Sequence, residues 1–167
     1  MHETAEDLQS LQALIDRSYA GAGEHLLRIH TPERRMTAEQ VSERLQGMSL
    51  LSLATVSAAG RPVVGPVDGI FLRASFHFGS APDSVRARQI AARPEVSATH
   101  LPGEELAVTV HGQAVPVDFG EGTELRQTLL DIYVPRYGDE WEEFLDSGVA
   151  YWRLDAAQMF AFHMPAE

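Results

Sequence analysis

The chain has 167 residues, of which 24 are acidic and 13 basic, with no cysteine and a net charge of −11. Every basic residue is an arginine. This is enough chain for one buried core with a short appendage, and it excludes disulfides, thiolate chemistry and lysine Schiff bases. An acidic molecule repels nucleic-acid phosphates and anionic membranes, no apolar run approaches bilayer length, and the acidic first ten residues lack the pattern of a secretory signal, so the expected address is cytoplasmic.

Apolar residues at helical spacing (Leu8, Leu11, Ile15, then Leu26 and Leu27) flank Gly21-Ala22-Gly23 and predict two helical pieces over residues 5–29. Thr37 and Gln40 stand at capping-box spacing before Val41 and Leu45, which predicts a second short helix stopping near Gly47. Residues 1–47 thus read as a helical appendage to a domain spanning 48–167.

The period then changes. Residues 50–56, 62–72 and 74–79 read as three strands of a meander, with turn chemistry at Ser57-Ala58-Ala59-Gly60. Residues 83–92 read as a short helix ended by Arg93-Pro94, because the residue before proline avoids the helical region. Strands follow over 96–101 and 106–119, the latter straddling Gly112, where a bulge or a close backbone approach is expected. Residues 121–133 and 139–145 look helical, and 149–162 form a last strand region. About six strands with peripheral helices predict a mainly β (α+β) fold, a closed or sandwiched antiparallel sheet.

Charge is unevenly placed. Residues 71–94 hold Arg73, Arg86, Arg88 and Arg93 against the single acid Asp83, a basic island in an acidic molecule. Gly79 to Arg88 joins the third strand to the short helix, whose N-terminus offers unpaired N–H groups and a positive dipole end to an anion. Arg86 and Arg88 add bidentate donors, and Ser80 and Ser84 add hydroxyls. The alternative is that Ser84 or Asp83 merely caps the helix while the arginines are solvated. Gly65-Pro66, within the second strand, marks an edge, a kink or a place where a ligand lies against backbone.

Taken in order, Leu53-Ala54-Thr55-Val56, Gly60-Arg61-Pro62, Pro66-Val67, Ser84-Val85-Arg86-Ala87-Arg88-Gln89-Ile90, Arg93-Pro94-Glu95-Val96-Ser97 and Val108-Thr109-Val110-His111-Gly112-Gln113-Ala114 resemble the pyridoxamine 5′-phosphate oxidase-like, or flavin-binding split-barrel, superfamily. The match runs from about residue 50 to 119. The resemblance implies a six-stranded antiparallel split β-barrel with peripheral helices, working as a homodimer on a small-molecule substrate. It implies an oxidoreductase with FMN at the dimer interface, coenzyme F420 or haem being the alternatives, or a non-catalytic binder of such a group. It places the cofactor phosphate on Arg86 and Arg88 with Ser80 and Ser84, and the flavin ring along Val64, Gly65, Pro66 and Val67. Two departures speak against vitamin B6 oxidation: Ala107 stands where that enzyme has glutamine, and no Arg-x-His element occurs in the C-terminal half.

No metal site is expected, since His77, His100 and His111 fall on separate strands without carboxylates at ligand spacing. His100 and His111 are the best candidates for polar groups near a ring. Ser-His-Asp hydrolysis lacks its nucleophile elbow, since no Gly-x-Ser-x-Gly is present.

Overall fold

The computed structural model describes residues 3–164; the ends of the expected appendage (1–2) and barrel domain (165–167) lie outside the described residues. Helix α1 (Ala5–Ala20) opens on Thr4, whose hydroxyl accepts from the Asp7 amide while the Asp7 carboxylate accepts from the Thr4 amide. Helix α2 (Glu24–Ile29) follows the break at Gly21 and Gly23, and α3 (Ala38–Arg44) starts at the expected Thr37/Gln40 capping box. Six strands then appear: β1 (Met48–Val56), β2 (Pro62–Leu72), β3 (Ser75–Ser80), β4 (Glu95–Gly103), β5 (Leu106–Val117) and β6 (Ala150–His163). Helix α4 (Val85–Ala92) links β3 to β4, and α5 (Glu124–Tyr137) and α6 (Glu140–Asp146) link β5 to β6.

The strands close an antiparallel barrel in the order β1-β2-β3-β6-β5-β4. Alternation decides the inside: Leu51 and Leu53, Phe76 and Phe78, Val108 and Val110 all point inward and are buried. The same core continues into Ala87 and Ile90 of α4, which plugs one end, and into α1 and α3, which pack through Leu11, Ile15, Val41 and Leu45. A second cluster, with Leu125, Leu129 and Tyr133 at its centre, seats α5 and α6 outside the barrel on Ile70, Leu72 and Tyr151. The buried Arg126 of α5 holds α6 in place through Asp146 at 2.9 Å.

Helix α1 is fixed to β6 where that strand departs from regular pairing. His111 faces Gln158 and Gly112 faces Ala156, so Ala157 is an extra, unpaired residue, and the Met159 amide donates to Ser18 Oγ at 2.9 Å. A Cβ on Gly112 would stand 2.0 Å from the Asp155 carbonyl oxygen, so the close approach expected there is real.

The elements correspond to the expected ones with two adjustments. Helix α5 runs four residues past the expected end at Tyr133, through Pro135, and stops at Gly138 with φ +90. Proline in the last turn costs one ladder bond, which the packing of Tyr133 and the glycine exit offset. The β2–β3 turn has two residues where the expected strands left one, since β3 starts at Ser75, and Arg73 and Ala74 are both at positive φ (51 and 61). There Arg73 is paired with Asp7 and Glu124, at the end of β3 remote from α4. It therefore does not contribute to the basic island in which the sequence counted it.

Phe76 and Phe78 face the interior, which turns His77 outward, yet it is only 6% exposed beside Arg153, Asp155 and Glu124. Burial pushes its pKa down from 6.5 to about 4, against the raising effect of its bond to the Ser75 carbonyl. The unfolded chain takes up this proton at the ordinary value and the folded chain does not. The contribution of neutral His77 is therefore whole above pH 6.5 and is lost as pH falls towards 4. Relative to the native chain, His77→Gln should lose roughly 3 kcal/mol less stability between those limits, as read from urea denaturation at a series of pH values. Gly112→Ala should cost about 3 kcal/mol in the same assay, because backbone rather than a flexible side chain obstructs the new methyl group.

Candidate functional site

Strand β2 pairs with β1 along its length, from Val56↔Pro62 to Met48↔Ile70, but with β3 only from Gly69 onward. Residues 62–68 therefore present one open edge, which is why proline is tolerated at position 66. Helix α4 lies over that edge. Arg86 Nη2 donates to the Pro66 carbonyl at 2.9 Å, and a Cβ on Gly65 would come within 3.2 Å of the same nitrogen. The glycine thus makes room for the guanidinium.

The first turn of α4 completes the corner. Ser84 is its N-cap, with its hydroxyl accepting from the Ala87 amide at 3.0 Å and sharing a hydrogen bond with Ser80 Oγ at 3.0 Å. The N–H groups of Val85 and Arg86 precede any intrahelical acceptor and face the same end. Ser84 is thus the cap that the sequence offered as one alternative, and because capping uses only a lone pair of the oxygen, the hydroxyl proton remains for Ser80 or for an anion.

Arg86 is half-buried, and burial pushes its pKa down. Ion pairs among the described residues engage Arg73, Arg126 and Arg153, not Arg86. A guanidinium withdrawn from water, with one donor on a carbonyl and its remaining donors without a carboxylate, is prepared for an anion. The structure brings Gly65, Pro66, Ser80, Ser84 and Arg86 together. Arg88 is exposed and turns back to the Asp83 carbonyl, Val64 is exposed at 66%, and the Val67 side chain is buried in the barrel, so these three flank the corner.

Sequence reasoning did not anticipate the other bonds that hold α4. Gln89 Oε1 accepts from Thr55 Oγ1 at 2.5 Å, and Arg93 Nη2 donates to the Ala58 carbonyl of the β1–β2 turn at 3.3 Å. These pairs are 34 and 35 residues apart in sequence, with no local pattern to expose them. The histidines are dispersed: His100 Nδ1 lies 2.9 Å from the Leu50 carbonyl and His111 Nδ1 2.8 Å from Ser97 Oγ. Among the described residues, no three His, Asp or Glu side chains are grouped to hold a metal ion.

Beside the corner, the barrel wall is unusually bare of charge. Outward positions 50, 52, 54 and 56 of β1, 64 and 66 of β2, and 97, 99 and 101 of β4 carry no ionisable side chain, and charge enters this face at Asp68 of β2 and Glu95 of β4. Leu50 (59%), Val64 (66%) and Leu101 (62%) stand exposed on it.

A closed six-stranded antiparallel barrel with flanking helices is the architecture of the split-barrel class. Residues 37–161 match the family model described as pyridoxamine 5′-phosphate oxidase, and the chain belongs to that family. A comparison with curated proteins finds no match. Similar solved structures include an FAD-binding protein from Mesorhizobium loti (22% identity, TM-score 0.58, covering 79% of this chain and 98% of that one). HutZ, a haem storage protein from Vibrio cholerae, is similar at 21% identity and TM-score 0.59, covering 74% and 93% of the two chains. So is an F420 reductase, at 17% identity and TM-score 0.53, covering 71% and 94%. No described helix is long and apolar enough to cross a membrane.

Proposed function

We propose that this protein is a homodimeric oxidoreductase that holds FMN, with the cofactor phosphate at Arg86, Ser80 and Ser84 and the ring along the Gly65-Pro66 edge of β2. The observation that carries this reading is Arg86: half-buried, lacking a carboxylate partner, and seated over a glycine at a helix N-terminus. A phosphate dianion supplies the missing counter-charge, and the donors left over from the Pro66 bond suit its oxygens. Arg88 lies close enough in sequence to add long-range attraction, though its own bond is to Asp83.

The chain's residues bind and orient. Backbone groups of the open β2 edge can meet the polar rim of a flat heterocycle, and Gly65 allows it to approach closely. The largely apolar face of β1, β2 and β4 pairs with its copy across a two-fold axis, which buries Leu50, Val64 and Leu101 and excludes water from the ring. When bound, the cofactor supplies two-electron exchange with a small organic substrate, so no nucleophile or acid–base dyad is required of the protein. Ala107 and the C-terminal half without Arg-x-His weigh against pyridoxamine phosphate as that substrate. A second reading keeps the site and changes the occupant to a deazaflavin or haem, in keeping with the F420 reductase and HutZ among the similar structures.

The visible spectrum of the purified protein separates these readings, since flavin gives two bands, deazaflavin one, and haem a Soret band. With FMN, Arg86→Ala should weaken binding by about 10- to 100-fold, the value of charge-assisted hydrogen bonds, and should change riboflavin binding less than threefold. Arg88→Ala should do less than Arg86→Ala. Equal losses for the two ligands in a calorimetric titration would remove the phosphate assignment. Leu50→Arg with Leu101→Arg should convert a dimer to monomer in light scattering, and a native chain that is monomeric at micromolar concentration would remove the dimer.

A further inference from the structure

The second face of α4 borders a cavity to which none of the cofactor reading applies. Strand β5 leaves β4 at the pair Glu95↔Gln113, and beyond it residues 114–117 pair with β6 alone, from Ala114↔Leu154 to Val117↔Tyr151. The Ala114 amide still reaches the Pro94 carbonyl at 2.8 Å, after which the free side of β5 has no strand beside it. Helix α4 could cover this overhang, but its side-chain bonds run to Pro66, Thr55 and Ala58, all in the β1–β2 hairpin. The face it turns to β5 and β6 carries Ala87, Ile90 and Ala91, too short to fill the gap.

The result is a cavity of about 510 Å³ at the barrel mouth, walled by α4 on one side and by Ala114, Phe119, Tyr151 and Trp152 on the other. Its lining includes no charged side chain. Trp152 is held flat against Phe78, with ring centroids 5.8 Å apart and planes at 19°, and Phe119 leans on Tyr151 at 4.8 Å. The Trp152 indole N–H donates to no described residue, whereas the hydroxyl end of the Tyr151 ring lies over Gly79, so that Tyr151 offers the cavity ring surface rather than a donor. A volume in this range, at the mouth of a barrel and lined by apolar and aromatic groups with a few polar ones, is that of a small-molecule site. Aromatic walls favour a flat ring, the free indole N–H favours an acceptor on it, and the absence of any cation makes a charged ligand pay its full desolvation.

We propose that this cavity binds a neutral aromatic molecule carrying a hydrogen-bond acceptor, at a site separate from the Arg86 corner and independent of what that corner holds. The probe is 1-naphthol, titrated calorimetrically into the protein as purified, with 1-naphthoate as the charged counterpart. A Trp141→Phe background leaves Trp152 as the fluorescent reporter of the same event. Expected are saturation at one naphthol per chain, naphthoate at least tenfold weaker, and a change in Trp152 emission with the same midpoint. Ala91→Phe and Ala114→Leu should each weaken naphthol at least tenfold, while Arg86→Ala should leave it within twofold. Ala91 is exposed, so its replacement fills the cavity without burdening the core, and thermal melting checks that each variant is folded. Non-saturable naphthol binding, naphthoate as tight as naphthol, or undiminished affinity in folded Ala91→Phe would overturn the proposal. Undiminished FMN binding in Arg86→Ala, with naphthol binding intact, would count against the Arg86 assignment and leave this one standing.

Discussion

Helix α4 has eight residues, too few to persist in water on its own propensity, so its position is set by what grips it. Below, Ala87 and Ile90 sink into the barrel end. To one side, Arg86, Gln89 and Arg93 bind the β1–β2 hairpin. This lateral grip determines much of what the molecule offers to ligands. It draws a guanidinium over Gly65 and away from bulk water, aims the first turn at the open edge of β2, and leaves the β5–β6 overhang bare. The Arg86 corner and the apolar cavity thus lie to either side of the same short helix.

The rest of the chain secures the cylinder on which that helix rests. The N-terminal helices share the barrel's apolar core, and the Ser18 hydroxyl satisfies the Met159 amide where β6 is irregular. Tyr19 spans the same joint, its hydroxyl bonding to the Ala161 carbonyl at 2.9 Å and lying 2.8 Å from His30 Nδ1. On the other side of the Arg73 turn α5 and α6 form a separate aromatic stack, with Tyr133 and Trp141 at 4.5 Å and nearly parallel. The β1–β2–β4 wall is left uncovered by either helical group, and there Leu50, Val64 and Leu101 stand exposed.

The strands and their number were legible because alternation writes the pleat into the chain: Phe76 and Phe78 are inside and His77 is outside for that reason alone. The capping box at Thr37 and the close approach at Gly112 were legible because each is a local constraint with a residue that meets it. Arg86 could be singled out from its place after a strand and at the head of a helix. The division of labour between Arg86 and Arg88 could not, since it depends on which carbonyl each reaches, Pro66 across the fold or Asp83 nearby. Arg73 misled for the same reason: adjacency in sequence placed it with the island, while the reversal of direction between β2 and β3 carried it to carboxylates at the far end. The cavity left no trace in sequence because small residues become a void only when distant walls stand opposite them.

The extra residue in β6 divides that strand into two registers. Trp152 and Leu154, at even positions, face the interior, and so do Met159 and Ala161 at odd ones, because Ala157 resets the alternation between them. The two halves consequently answer to different neighbours: the first shapes the mouth, the second receives α1. Substitutions can accumulate in either half without disturbing the other, but the length between them is locked. Removal of one residue there would turn an entire half-strand inside out, so along this stretch the chain tolerates changes of side chain far more readily than changes of count.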